Sequence, residues 1–225
     1  MPTRIPRAGR RRRAARWSPV KTPIQERARA TVEHVITAAA QVFEEHGFAA
    51  GTTNRIAERA GVSIGTLYQY FPAKEALAVV LVERHVAAME AALNAWVART
   101  VSRPASLREA LRSLVETALA GHEGQSRLHD MLLAQPPLPA RVRALVEEAE
   151  ARAADALAGV LRTFPQVRRP ELRRAATLAI QATLGLTHWF IGPERGLARG
   201  AFVDETVDLL QAYLASGAPP AAPAR

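Results

Sequence analysis

The sequence predicts an all-α fold of about nine helices, and three observations carry that reading. Aromatic residues make up only 5% of the chain while alanine and leucine abound. That composition suits packed helices better than sheets, which favour β-branched and aromatic side chains. Apolar residues recur at three- and four-residue steps between glycine and proline breaks. No stretch alternates apolar and polar residues with period two for long enough to make a strand. With 225 residues, 48% of them hydrophobic, the chain can bury the core of one medium domain or two small ones.

Before the first helix comes a basic arm, residues 1–24. It holds Arg4, Arg7, Arg10, Arg11, Arg12, Arg13, Arg16 and Lys21 and no acid, so it supplies nearly all of the formal net charge of +9. Such a segment reads as disordered on its own and attracted to polyanions; the plain alternative is a solubilising tail. It is not a secretory signal, because no apolar run follows the charges. The first helix is announced by Val32, Val35, Ile36, Ala39, Val42 and Phe43 on one stripe. Gly47 is expected to end it with a left-handed residue, and Phe48 to fold back onto the stripe. Thr52 is a plausible N-cap for a short helix to about Ala60, with Ile56, Ala57 and Ala60 inward. Gly61 turns the chain, and Ser63 caps a third helix from Ile64 that Pro72 ends.

Six longer helices follow, at about 75–100, 106–120, 125–134, 140–163, 171–191 and 203–215. Their breaks fall at Pro104, Gly121 and Gly124, the Pro136–Pro139 cluster, Pro170 and Gly192-Pro193. The tail 216–225 is rich in Ala and Pro and reads as disordered. From Ala175 to Pro193 no side chain is charged. Thr177, Gln181, Thr183, Thr187 and His188 make this stretch too polar for a lipid-facing span, so it reads as a helix buried between others and no membrane partner is expected. The chain has no cysteine, which excludes disulfides and thiolate chemistry and fits a reducing, cytoplasmic setting.

The most informative segment is Thr52 to Phe71. Two short helices joined by a tight glycine turn must cross steeply. Ala57 is small where they approach, Gly61 supplies the positive φ, and Val62 and Leu67 point inward. The outer face of the second helix, Ser63, Gly65, Thr66 and Gln69, is polar and small enough to enter a major groove.

The run Ile56-Ala57-Glu58-Arg59-Ala60-Gly61-Val62-Ser63, then Gly65-Thr66-Leu67-Tyr68, Tyr70-Phe71, Lys74-Glu75 and Leu77, strongly resembles the DNA-binding domain of TetR-family regulators over residues 29 to 89. The resemblance implies an N-terminal three-helix helix-turn-helix domain, residues 25–80, and a C-terminal helical ligand-binding and dimerisation domain, residues 81–215. Thr52 and Thr53 would meet a phosphate at a helix N-terminus, and Asn54 a base or phosphate. Ser63, Ile64, Gly65 and Thr66, with Gln69, would face the groove. Tyr68 and Tyr70 would offer hydroxyls to the backbone, and Lys74 a phosphate contact. For Tyr70 partial burial stands open beside this. Arg10, Arg11, Arg12, Arg13 and Arg16 form the candidate DNA-binding arm.

Two positions depart from the family pattern. Ala73 replaces the usual N-cap of the fourth helix, at a cost of about 1 kcal/mol. Ile64 stands where many members carry a polar or basic residue; it either packs on a thymine methyl or folds into the core. Residues 25–80 hold five basic against six acidic side chains, so this domain needs positive potential from elsewhere, and the arm supplies it.

No cofactor is expected. No phosphate-cradling glycine loop, nucleophile elbow or paired-carboxylate arrangement marks an enzyme. No metal is expected either: His122 and His129, near Glu123 and Asp130, are seven apart but interrupted by glycines, and the histidines read as surface residues. Leu111, Leu114, Val115, Leu128, Met131, Leu132, Leu145 and Leu157 lie on the helices that surround the effector pocket in similar proteins, and an apolar or amphipathic small-molecule effector follows. His188-Trp189-Phe190 reads as subunit interface ahead of pocket lining. Ala175, Ala179, Ala182 and Leu186 offer close approach to a second copy in a homodimer. The expected function is a ligand-responsive regulator, a repressor released from a palindromic double-stranded DNA operator. A non-inducible architectural or cell-division DNA-binding protein of the same fold is the rival.

Overall fold

The computed structural model describes residues 26–103, 106–122, 139–192 and 196–216. Among these residues the chain forms eight helices and no strand: α1 (Glu26–Ala50), α2 (Thr53–Arg59), α3 (Ile64–Tyr70), α4 (Lys74–Ser102), α5 (Leu107–His122), α6 (Ala140–Leu161), α7 (Leu172–Ile191) and α8 (Arg199–Ala215). The expected helix at 125–134, the arm and the tail 217–225 lie outside the described residues.

The chain divides into two compact units. The first takes in residues 26–85 and 139–143, the second 86–103, 106–122, 144–192 and 196–216. The division falls at residue 85, inside α4, where the sequence places it at residue 80.

In the first unit α1 buries Val35, Ile36, Ala39, Val42 and Phe43, the stripe its spacing predicts. Gly47 interrupts α1 with φ 72°, and Phe48 returns onto Phe43 with ring centroids 5.4 Å apart. Thr52 caps α2, its hydroxyl accepting the Arg55 amide at 3.3 Å. Ile56 and Ala57 are buried, and Gly61, at φ 66°, turns the chain into α3. Ser63 caps α3, accepting the Thr66 amide at 3.0 Å, and Leu67 anchors that helix in the core.

In the second unit Trp96 is fully buried on α4, and its indole donates to Ser113 Oγ at 2.9 Å on α5. Around it pack Leu111, Leu114 and Val115 of α5, Leu157 and Leu161 of α6, Ala176 of α7, and Val207 and Leu210 of α8. Arg108–Asp208 and Arg112–Asp204 ion pairs run α5 antiparallel to α8. Phe190 at the end of α7 stacks on Phe202 at the start of α8, centroids 4.3 Å apart.

Three expectations need correction. Gly121 does not stop a helix: α5 continues through it to His122, and a Cβ there would run into the Met89 thioether of α4. The glycine marks a close helix approach. Ala175 and Ala179 do not face a partner, because both are buried in the core of their own unit. The outward side of α7 instead carries Leu178, Gly185 and Trp189. His122 is not a surface residue; it is buried at 1% exposure.

Thr187 on α7 is completely buried, and its hydroxyl has no hydrogen-bond partner among the described residues. A buried hydroxyl without a partner keeps its desolvation cost, so the isosteric Thr187→Val should raise stability by about 1–2 kcal/mol. A urea-denaturation midpoint at or below that of the unsubstituted chain would contradict this.

Candidate nucleic-acid interface and effector region

The helix-turn-helix presents a short polar surface. Ser63, Ile64, Gly65, Tyr68 and Gln69 of the α3 region are exposed, Thr66 and Tyr70 half-buried, and Leu67 buried. Ile64 is 37% exposed, so the reading that folded it into the core is set aside. The half-burial of Tyr70 agrees with the open reading that it is partly core. Thr52, Asn54 and Arg55 are exposed at the start of α2, with Thr53 half-buried. One hydrogen bond knits the two helices: Thr53 Oγ1 lies 3.1 Å from the Tyr68 hydroxyl. Ser63 Oγ and Thr66 Oγ1, 2.8 Å apart, form a second local pair at the start of α3. The hydroxyls assigned to DNA are therefore held in place before any ligand arrives.

The charges are arranged less simply. Arg59 forks onto Glu45 at 2.5 and 2.6 Å, and Arg84 onto Glu33 at 2.8 and 2.6 Å. The hydrogen bonds from these guanidinium groups hold both carboxyls below their usual range. Lys74 is half-buried, and its ammonium donates to the carbonyls of Phe48 at 2.5 Å and Ala49 at 3.1 Å and lies over the Phe48 ring. It thus ties down the short turn that follows the Gly47 break at the end of α1. Sequence reasoning gave it to phosphate and did not see those carbonyls, which lie 25 and 26 residues away.

Arg55 is a candidate DNA contact that sequence reasoning passed over. Among the described cations of this unit its guanidinium alone has neither ion pair nor hydrogen bond, and it is exposed beside Asn54. The signal was available: an arginine in the first turn of the helix that opens the motif. Arg10, Arg11, Arg12, Arg13 and Arg16 lie outside the described residues.

In the second unit Leu111, Leu114, Val115 and Leu157 sit in one close-packed core cluster, and Leu145 is half-buried. Leu128, Met131 and Leu132 lie outside the described residues. An open groove of about 630 Å³ runs along the end of α4 and the start of α5, with Arg99, Arg103, Ala110 and Ser113 on its walls. The His188-Trp189-Phe190 run splits three ways. His188 faces His122, Trp189 is 45% exposed, and Phe190 stacks inward. Among the described residues no helix is long and apolar enough to cross a membrane.

A capped α2–turn–α3 pair with an exposed polar face, followed by a separate helical bundle, defines a helix-turn-helix regulator. Residues 35–81 match the family model of bacterial regulatory proteins of the tetR family, and residues 106–214 that of the tetracyclin repressor-like C-terminal domain. The chain belongs to the TetR family of transcriptional regulators. It is 23% identical over 174 residues to the HTH-type transcriptional activator FasR of Mycolicibacterium smegmatis, covering 77% of this chain and 78% of that one. It resembles the fatty acid degradation regulator FadR of Bacillus halodurans, with TM-score 0.63, 19% identity, and 85% of this chain and 96% of that one covered. FadR of Bacillus subtilis, solved in complex with stearoyl-CoA, gives TM-score 0.61 and 19% identity, covering 81% and 97%.

Proposed function

We propose that this chain is a homodimeric, ligand-responsive repressor that reads a palindromic operator through α2 and α3. The observation that supports this most directly is the exposed face of α3, where Ser63, Ile64, Gly65 and Gln69 stand clear of the core while Leu67 holds the helix down. In this reading Thr52, Thr53, Tyr68 and Tyr70 meet phosphates and fix register, Arg55 adds the cation the surface otherwise lacks, and Asn54, Ile64, Thr66 and Gln69 read bases. Lys74 acts at one remove, by fixing the end of α1. Residues 25–80 are the DNA-binding domain and 81–215 the effector and dimer domain.

The effector proposed is amphipathic, of the fatty-acyl thioester class. The groove with Arg99 and Arg103 suits an anionic head, and the Bacillus subtilis relative was solved with stearoyl-CoA. Binding would favour one spacing of the two recognition helices over another, a shift of population.

Selection of genomic fragments bound by the purified chain tests the reading. A short palindrome beside few genes, released by long-chain acyl-CoA, is the expected result. Many dispersed sites with no response to ligand would point to the architectural rival. Raised transcription of the adjacent gene, as the name of the Mycolicibacterium relative suggests for that protein, would overturn the repressor half alone.

Ile64 gives a sharper test. If it packs on a thymine methyl, Ile64→Ala should lose about 1–3 kcal/mol of discrimination at one position of each half-site. Uracil in place of that thymine should reproduce the loss in the parent chain and add nothing in the variant. Additive losses would refute the contact.

A further inference from the structure

We infer that Thr53 is a positioning residue for DNA binding: its hydroxyl donates to the Tyr68 phenol oxygen, and Tyr68 alone of the two donates to a DNA phosphate. This rests on the reading of α2 and α3 as the DNA-contacting pair and narrows it, because Thr53 then acts on the phosphate only through Tyr68. Thr53 is the first residue of α2, and Tyr68 lies on α3. Their oxygens stand 3.1 Å apart across 15 residues of sequence. Tyr68 is 48% exposed and Thr53 half-buried, so the phenol is the side chain more open to a ligand.

The count of hydrogens sets what the pair can do. Each hydroxyl carries one hydrogen and two lone pairs, whereas an ionised phosphate oxygen only accepts. One hydrogen is used between the two oxygens, so one is left for DNA. Both hydroxyls cannot donate to phosphate while the bond between them stands. A phenol is a stronger donor than an aliphatic alcohol, and bonds to an ionised acceptor are the strong ones. The chain therefore runs from Thr53 Oγ1 to Tyr68 Oη to phosphate, and each bond polarises the next. The same contact steadies the phenol in the free protein. An exposed side chain loses rotational freedom when it is pinned at an interface, and the bond to Thr53 removes part of that freedom beforehand. The backbones on both sides are fixed: Thr52 caps α2, and Leu67, the residue before Tyr68, is fully buried.

The test uses the full-length chain and the duplex recovered by the genomic selection, with single methylphosphonates scanned through one half-site. Tyr68→Phe should weaken binding at least about tenfold and Thr53→Val about three- to tenfold. The double variant should be no weaker than Tyr68→Phe, and Thr53→Ser, which keeps the hydroxyl, should bind as the parent does. Tyr68→Phe and Thr53→Val should both lose sensitivity to neutralisation of one and the same phosphate, which a role in folding alone would not produce. Tyr68→Phe binding as the parent does would take Tyr68 off the DNA, and would overturn its phosphate role and the relay together. With Tyr68→Phe impaired, unchanged binding by Thr53→Val, additive losses in the double variant, failure of Thr53→Ser to restore affinity, or sensitivity lost at two different phosphates would overturn the relay alone.

Discussion

Deletion of residues 2–20 should weaken binding to every DNA sequence and flatten the dependence of affinity on salt. The reason lies in where the first unit's cations go. Arg59 and Arg84 are each forked onto a carboxylate, and Lys74 is turned onto the carbonyls at the end of α1. Arg55 is left to face a polyanion. Residues 25–80 carry more acids than bases, while Arg10, Arg11, Arg12, Arg13 and Arg16 stand just before α1. An arginine-rich segment there can follow phosphates or enter a neighbouring minor groove. Each neutralised phosphate steepens the log–log salt slope by about 0.9, so five arginines engaged per arm amount to about 4–5 in slope, and twice that in a dimer. Operator and scrambled DNA should be weakened nearly alike, since phosphate contacts carry no sequence. The measurement is a salt titration of affinity for full-length and truncated chains on both DNAs. Equal slopes would make the arm a passive tail. A selective loss on the operator would mean that the arm reads an A·T-rich minor groove.

The helix-turn-helix was legible in the sequence because its determinants are local. The caps Thr52 and Ser63, the turn at Gly61 and the anchor Leu67 all act within a few residues, and each does what its spacing predicts. What sequence reasoning missed depends on partners far along the chain. Lys74 meets carbonyls that no periodicity connects to it, and His122 finds His188 across 66 residues. Gly121 looked like a stop because glycine often ends a helix. Its actual role is to admit Met89, which only the packing of α4 on α5 reveals. The faces of α7 failed for a related reason. A run of small apolar residues with no charge is compatible with two orientations, and the choice is made by α5 and α8, which bury Ala175, Ala176 and Ala179.

Placing aspartate at Leu178 and Leu209 together should convert the protein to monomer and remove most of its affinity for a palindromic site. With Ala175 and Ala179 spent on the core, the outward side of α7 shows Leu178 and Trp189, at 52% and 45% exposure, around Gly185. The outward side of α8 shows Leu209 at 52% with Ala212 and Ala201. Large apolar groups on the outward sides of these two helices, around residues small enough for close approach, fit a surface that a second copy covers. Covering a leucine contributes about 1.5–3 kcal/mol. A twofold interface repeats every contact, so each substitution counts twice, before the cost of burying a carboxylate is added. The sum exceeds what holds a dimer together at micromolar concentration. Both positions are exposed within the chain, so thermal unfolding of the separated subunits should remain cooperative. Val101→Asp, at a valine of 66% exposure on the end of α4, is the control and should leave assembly intact. Sedimentation velocity reads the outcome directly. An intact dimer in the doubly substituted protein would refute this interface, and dissociation by Val101→Asp instead would move it to the end of α4. Operator affinity should fall with dissociation, because each half-site is then held by one recognition helix alone.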